Sequence, residues 1–201
     1  KMENLKMATQ ENKVVYGLKN VHYSKMTINE TGKVVYAKPV AIKGAVEISL
    51  ESKAELVSFE ADNEVYYSAP GTSSYEGTLT LAKVPDGFLV DVLGEVLDAT
   101  DGVQTEIDGA KTSNFALMFQ FEGDVNGTRH LFYNCSASRP SVASKTGKEI
   151  GTTELAFTAS AKPAETVNDK AVVKTKTTAS TTTAVYNAWF DAVYVKAPAE
   201  G

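Results

Sequence analysis

The chain has 201 residues, 43% of them apolar and 22% charged, close to globular averages and against disorder as its overall state. Its net charge of −5, from 20 basic and 25 acidic residues, has the wrong sign for gripping nucleic acid by phosphate neutralisation. The single cysteine, Cys135, excludes an intrachain disulfide and any multi-cysteine metal site, and no apolar run approaches the roughly 20 residues of a membrane-spanning helix.

The N-terminal KMENLKMATQENK has no apolar core of the kind a secretory signal carries. Met7-Ala8-Thr9 reads as a start, with residues 1–6 expected to be a leader or a remnant. From there the dominant period is two. Strands are expected near 13–18, 20–28 and 33–42. Val46, Ile48 and Leu50 then alternate with Glu47, Ser49 and Glu51, a half-buried strand with one wet face. Further strands are expected near 55–60 and 63–68. Tyr75, Gly77, Leu79 and Leu81 alternate with Glu76, Thr78 and Thr80 in the same way.

Residues 86–97 break the pattern. Phe88, Leu89, Val92, Leu93, Val96 and Leu97 fall on one helical stripe. Pro85-Asp86 supplies a start signal, with Asp86 as the expected cap. Gly94 weakens such a helix by about 1 kcal/mol, so Leu89, Val92, Leu93 and Val96 are expected to pack against a sheet. Residues 114–122 return to strand, with Phe115, Leu117, Phe119 and Phe121 on one face, and Asn126-Gly127 signals a hairpin into 128–136. Strands are expected near 151–161 and 171–177, and a short helix near 183–194, with strand as the competing reading there. No composition shift marks a second domain. The pattern predicts an all-β-dominated antiparallel sandwich or barrel with two short helices.

Candidate chemistry is sparse. His22 and His130 each sit in a strand beside aromatics, and Cys135 alternates onto the face of Leu131 and Tyr133, where a buried, inert thiol is expected. Asp98-Ala-Thr-Asp101-Gly102 lacks the middle and twelfth-position ligands of a calcium loop. The glycosylation sequons at Asn29, Asn126 and Asn134 are expected to be chance matches. No phosphate-binding glycine loop or Gly-x-Ser-x-Gly occurs. These residues imply no catalytic site, no metal and no cofactor. Tyr66, Tyr67 and Tyr75 are expected in the core or at an interface between copies, ahead of a ligand platform. Charge is segregated: residues 41–108 hold 14 acids against Lys43, Lys53 and Lys83, a net of −11, and the remainder carries +6.

An ordered set of segments carries a resemblance. They are Gly17-Leu-Lys-Asn-Val-His-Tyr23, Gly44-Ala-Val-Glu-Ile-Ser-Leu50, Tyr75-Glu-Gly-Thr-Leu79, Pro85-Asp86 with Asp91-Val-Leu-Gly94, and Phe115-Ala-Leu-Met-Phe-Gln-Phe-Glu-Gly-Asp124. Arg129-His-Leu-Phe-Tyr-Asn-Cys-Ser-Ala-Ser-Arg-Pro140, Val173-Lys174 with the Thr-rich stretch after it, and Tyr186-Asn-Ala-Trp-Phe190 with Val193-Tyr194 complete it. In this order the chain resembles the major tail protein, or tail tube protein, family of long non-contractile-tailed bacteriophages; Ser74 stands where the family pattern suggests Gly. The resemblance implies a single domain over 13–196, an N-terminal arm or leader over 1–12 and a tail over 197–201. It also implies a flanking helix, hexameric rings stacked into a tube, and a non-enzymatic role in the virion after assembly in the host cytoplasm. Implied partners are other copies, a tape-measure protein, a tail terminator and a distal tail protein, with DNA passing through unbound and no membrane involved. Glu47, Ser49 and Glu51 are then candidate lumen-facing residues, and Tyr66, Tyr67 and Tyr75 candidate subunit-interface aromatics. A monomeric β-sandwich module that recognises carbohydrate or a surface is the alternative.

Overall fold

The computed structural model describes residues 16–61, 64–141, 151–167 and 170–196, with side chains outside 54–73 and 162–170. Residues 13–15, expected to begin a strand, lie outside the described residues. β1 (Leu18–Ile28) is followed by two short edge strands, β2 (Val34–Tyr36) and β3 (Val40–Ala41). Pro39 separates these two, a residue with no N–H to give to a ladder. The expected strands at 46–51 and 55–60 are one strand, β4 (Ala45–Ala61), and those at 63–68 and 75–81 are one strand, β5 (Glu64–Leu81).

α1 (Asp86–Asp91) comes next, then the two-rung hairpin β6 (Val96–Leu97) and β7 (Gln104–Thr105), then β8 (Phe115–Phe121) and β9 (Arg129–Ala137). The turn between β8 and β9 is built on Asp124, whose carboxylate accepts the N–H groups of Asn126 and Thr128, both at 2.9 Å. β10 (Thr153–Ser160), β11 (Lys162–Val167), β12 (Lys170–Val172), β13 (Lys174–Lys176) and α2 (Thr183–Ala188) complete the chain.

The main sheet is antiparallel, in the order β2-β1-β8-β9-β10-β5-β4, with β3 on β1 and β13 on β9. β3 lies at one edge and β4 at the other, yet only residues 42–44 connect them. The Ile42 N–H reaches the Val21 carbonyl at 2.7 Å, and the Ala82 N–H reaches Gly44 at 2.8 Å. The two edges are therefore neighbours, and the sheet is rolled into an open barrel, the form that hides most strand edges. Its interior is the inward row of each strand: Val21 and Tyr23, Leu79 and Leu81, Phe115, Leu117 and Phe119, Phe132, Leu155 and Phe157.

The helix ends sooner than its apolar stripe suggests. α1 spans six residues, Gly94 turns out of it at φ +78, and the Glu95 N–H returns to the Leu89 carbonyl at 3.1 Å. A Cβ at Gly94 would lie 2.8 Å from the Lys111 carbonyl oxygen, so this position requires glycine for both its φ and its space. Phe88, Val92 and Leu93 are buried and Leu89 packs beside them. Val96 is 49% exposed in β6. The expectation that the helix runs to residue 97 and packs through Val96 is thereby corrected: the glycine stops the helix instead of merely weakening it.

The outer face of the barrel is divided. Over β1, β8 and β9 it is covered by a second apolar cluster of Met118, Leu131, Tyr133 and Trp189, joined by Tyr36, Val185 and Phe190. The C-terminal segment supplies this cover. Its helix spans only Thr183–Ala188 of the expected 183–194, and Trp189 follows it into the cluster.

Candidate functional site

Over β4, β5 and β10 no described residue covers the outer face in this way. Strand alternation directs Glu47, Ser49 and Glu51 outward while Ile48 and Leu50 join the core. Register then sets the neighbours. Glu47 lies opposite Thr80, Ser49 opposite Thr78 and Glu51 opposite Glu76. Across β5, Thr80 faces Glu154, Thr78 faces Ala156 and Glu76 faces Thr158. Across β10, Thr158 faces Ser136, and their hydroxyls lie 2.8 Å apart. One polar face thus extends across four strands.

Its charge comes from four carboxylates, Glu47, Glu51, Glu76 and Glu154, against one ammonium, Lys53. Lys53 bridges Glu51 at 3.2 Å and Glu76 at 3.7 Å. The hydrogen bond and charge of Glu51, and then the charge of Glu76, hold the Lys53 ammonium above its ordinary range. The remaining outward side chains are short hydroxyls and Ala156. Beneath them the barrel wall is thin: a Cβ at Gly77 would lie 2.6 Å from the Ser49 carbonyl oxygen and 2.8 Å from the Phe157 ring.

The expected lumen residues therefore sit together on this face. Sequence reading did not join Glu76, Thr78, Thr80, Glu154, Thr158 and Ser136 to them, although the wet half of each period-two pattern was the available signal. Tyr75 is elsewhere. Its ring packs edge-on to Phe132 with centroids 5.4 Å apart, and the Lys174 ammonium lies 4.4 Å from its ring centre. Tyr75 is thus half-buried, packed against the barrel core. The side chains of Tyr66 and Tyr67 lie outside the described residues.

Among the described residues, His22, His130 and Cys135 are not gathered into one group. His22 pairs with Met118 and His130 with Phe119, so they stand on opposite faces of the sheet. His22 stacks on Phe190 at 4.8 Å, and His130 stacks on Phe119 at 5.1 Å. Burial, assisted by Lys176 and Lys174 and opposed by Asp124, holds His130 below its ordinary pKa. Burial raises the Cys135 thiol, which is fully enclosed, away from the thiolate form a nucleophile needs. Desolvation and the hydrogen bond to Asp91, 2.9 Å long, raise the Tyr23 hydroxyl. Among the described residues, no three His, Cys, Asp or Glu side chains gather closely enough to hold a metal ion. No helix among them is long and apolar enough to cross a membrane.

Among solved structures, the chain resembles the cap that terminates the anti-feeding prophage tube (TM-score 0.45, 10% identity, covering 88% of this chain and 99% of that one). It also resembles a chain of an extracellular contractile injection system sheath–tube complex in the extended state (TM-score 0.41, 9% identity, 86% and 93%). A third is a chain of the anti-feeding prophage baseplate (TM-score 0.40, 10% identity, 87% and 100%). No curated protein matches the chain. The sequence model described as phage tail tube protein matches residues 4–197. With that match running over nearly all of its length, the chain belongs to the phage tail tube protein family.

Proposed function

We propose that the chain is the repeating subunit of hexameric rings that stack into a phage tail tube, and that its bare polar face lines the channel through which the genome is delivered. The observation that carries this reading is the width and chemistry of that face. It spans four strands, bears four carboxylates against one ammonium, and is otherwise hydroxylated. A duplex carries a phosphate charge every ~1.7 Å and binds wherever lysines or arginines release its counterions. A conduit must avoid that, because weak attraction in each ring would sum along the stack. Carboxylates make each ring mildly repulsive, and screening over about 8–10 Å at physiological salt keeps the barrier low. A tape-measure protein would occupy the same channel before the genome. Tail terminator and distal tail proteins would close the ends, with assembly in the host cytoplasm and residence in the virion. A carbohydrate-binding module would want an exposed aromatic platform, and Tyr75 is half-buried against Phe132 and Lys174.

A reconstruction of the assembled tube is the direct test, with Glu47, Glu51 and Glu76 expected on the channel wall. Finding them on the outer surface would defeat the lumen assignment. Exchanging Glu47 and Glu51 for lysine is expected to leave tubes intact and slow genome delivery. Unchanged delivery would show that charge at these positions does not matter.

A further inference from the structure

The lobe between α1 and β8 has a surface unlike the rest of the barrel. Val96, Leu97, Val103 and Ile107 are 49%, 55%, 55% and 46% exposed within a stretch of only twelve residues. Alternation and the Val96–Thr105 pairing put Val96, Thr105 and Val103 on one face of the β6–β7 hairpin. Around them residues 94–109 contribute Glu95, Asp98, Asp101, Glu106 and Asp108 and no Lys or Arg. Two contacts fix this lobe in place. Arg139 meets the Glu106 carboxylate at 2.6 Å and donates to the Ile107 carbonyl at 2.9 Å. Gln104 donates to Glu95 and to the Asp86 carbonyl. An apolar patch already held in position has little ordering entropy left to lose on docking.

The opposite surface exists on the same chain. β2 and β3 form an edge on β1, with Val35 beside Thr27 and Val40 beside Tyr23 on the same face. Val35 is 44% and Val40 46% exposed. Residues 19–43 carry five lysines against Glu30 alone. Among the described residues, Lys25, Lys33, Lys38 and Lys43 make no ion pair. Each surface is an apolar centre with a charged rim, and the two rims have opposite sign. That is the arrangement which steers association and fixes register.

We propose that the β6–β7 lobe of one copy docks on the β1–β2–β3 edge of the next. The two patches are different, so the contact is head-to-tail, and it makes a ring if the rotation closes and a filament if it does not. This rests on the tube reading above and gives that reading a named subunit contact.

Opposing charge changes on each patch test it. One variant carries Thr105→Lys with Asp108→Lys, and a second carries Lys33→Glu with Lys38→Glu. A third combines all four changes. All the exchanged side chains are exposed, and unchanged urea unfolding midpoints confirm folding. Sedimentation and negative-stain microscopy of the full chain then read assembly. The expectation is that each two-site variant needs at least tenfold more protein to form rings or tubes. The four-site variant should need more protein still, because its lobe goes from −5 to −2 and its edge from +4 to 0, which leaves the two rims without complementary charge. Wild-type assembly of either two-site variant would overturn the contact, leave the tube reading standing, and release the lobe for another tail protein. Wild-type assembly of the folded four-site variant would also overturn it. Wild-type protein dispersed at every concentration would overturn both readings.

Discussion

His130 lies between the rings of Phe119 and Phe121, at 5.1 and 5.5 Å, and near the ammonium groups of Lys176 and Lys174. These surroundings favour the neutral imidazole, with Asp124 alone opposing. Its folded pKa is therefore below that of an unfolded histidine, about 6.5. As pH falls past that value the unfolded chain takes up the proton first, and stability declines toward the lower folded pKa. Urea midpoints should fall between pH 7.5 and 5, and His130→Gln should make the fall shallower. An identical slope in the variant would remove His130 as its source. Gly77 is constrained by space rather than by φ. Its missing Cβ leaves room for the Ser49 carbonyl and the Phe157 ring, and Gly77→Ala should cost about 1–3 kcal/mol by overpacking. A change under about 0.5 kcal/mol would show that β4 shifts without penalty. Neither constraint was legible in the sequence, where Gly77 is one apolar position in an alternating strand and His130 one ring among several.

At the level of elements, a six-residue helix has no stability of its own, so α1 is held by what it buries. Leu93 is 1% exposed beside it, and Leu93→Ala should cost about 2–5 kcal/mol. Val96→Ala, on the exposed hairpin, should stay within about 0.5 kcal/mol. Denaturant unfolding of the two variants checks the boundary at Gly94, and equal losses would restore the longer helix. The apolar stripe from Phe88 to Leu97 was visible in the sequence, but its second half serves a lobe and not the core. Periodicity alone does not distinguish these uses. β4 and β5 show the reverse error. The expected strands at 63–68 and 75–81 leave residues 69–74 between them, yet β5 passes through, with Leu56 opposite Pro70 next to a register shift. Proline is tolerated where a strand has a neighbour on one side only. That condition holds here, because β10 pairs with β5 only from Tyr75 to Leu81.

The whole molecule combines a closed core with structural parts that lie outside it. The chain is a structural tail tube protein, and its wet face and its two charged rims all lie at the surface of the subunit. The period-two patterns marked β1, β4, β5, β8, β9 and β10 and the wet side of β4 and β5, though not β6, β7 or β11. They could not give the order of the strands, which sets Ser136 and Thr158 beside Glu76 although about 60 to 80 residues separate them from it in the chain. Beyond Tyr75 the β4–β5 hairpin continues for about ten residues per strand, roughly 30 Å, and among the described residues pairs with no other strand. A two-stranded ribbon alone is marginal in water. Limited proteolysis of the dispersed subunit should therefore cut first within 54–73, and assembled tubes should resist cleavage there. Equal cleavage in both states would show that assembly does not cover the arm.

The rolled sheet also has a consequence for synthesis. β1 pairs with β8, so Leu18 waits for Phe121 and Lys25 for Phe115. At about 5–20 residues per second on the ribosome, this delay lasts about 5–20 s. The β4–β5 hairpin needs only its own neighbours and closes within microseconds of emerging, on the order of 1–10 μs. The nascent chain thus carries a finished ribbon and, for seconds, a β1 that has only the short β2 and β3 beside it and is open on its β8 side. Sheet closure through β8, instead of any local turn, sets the time at which a new subunit can safely meet another.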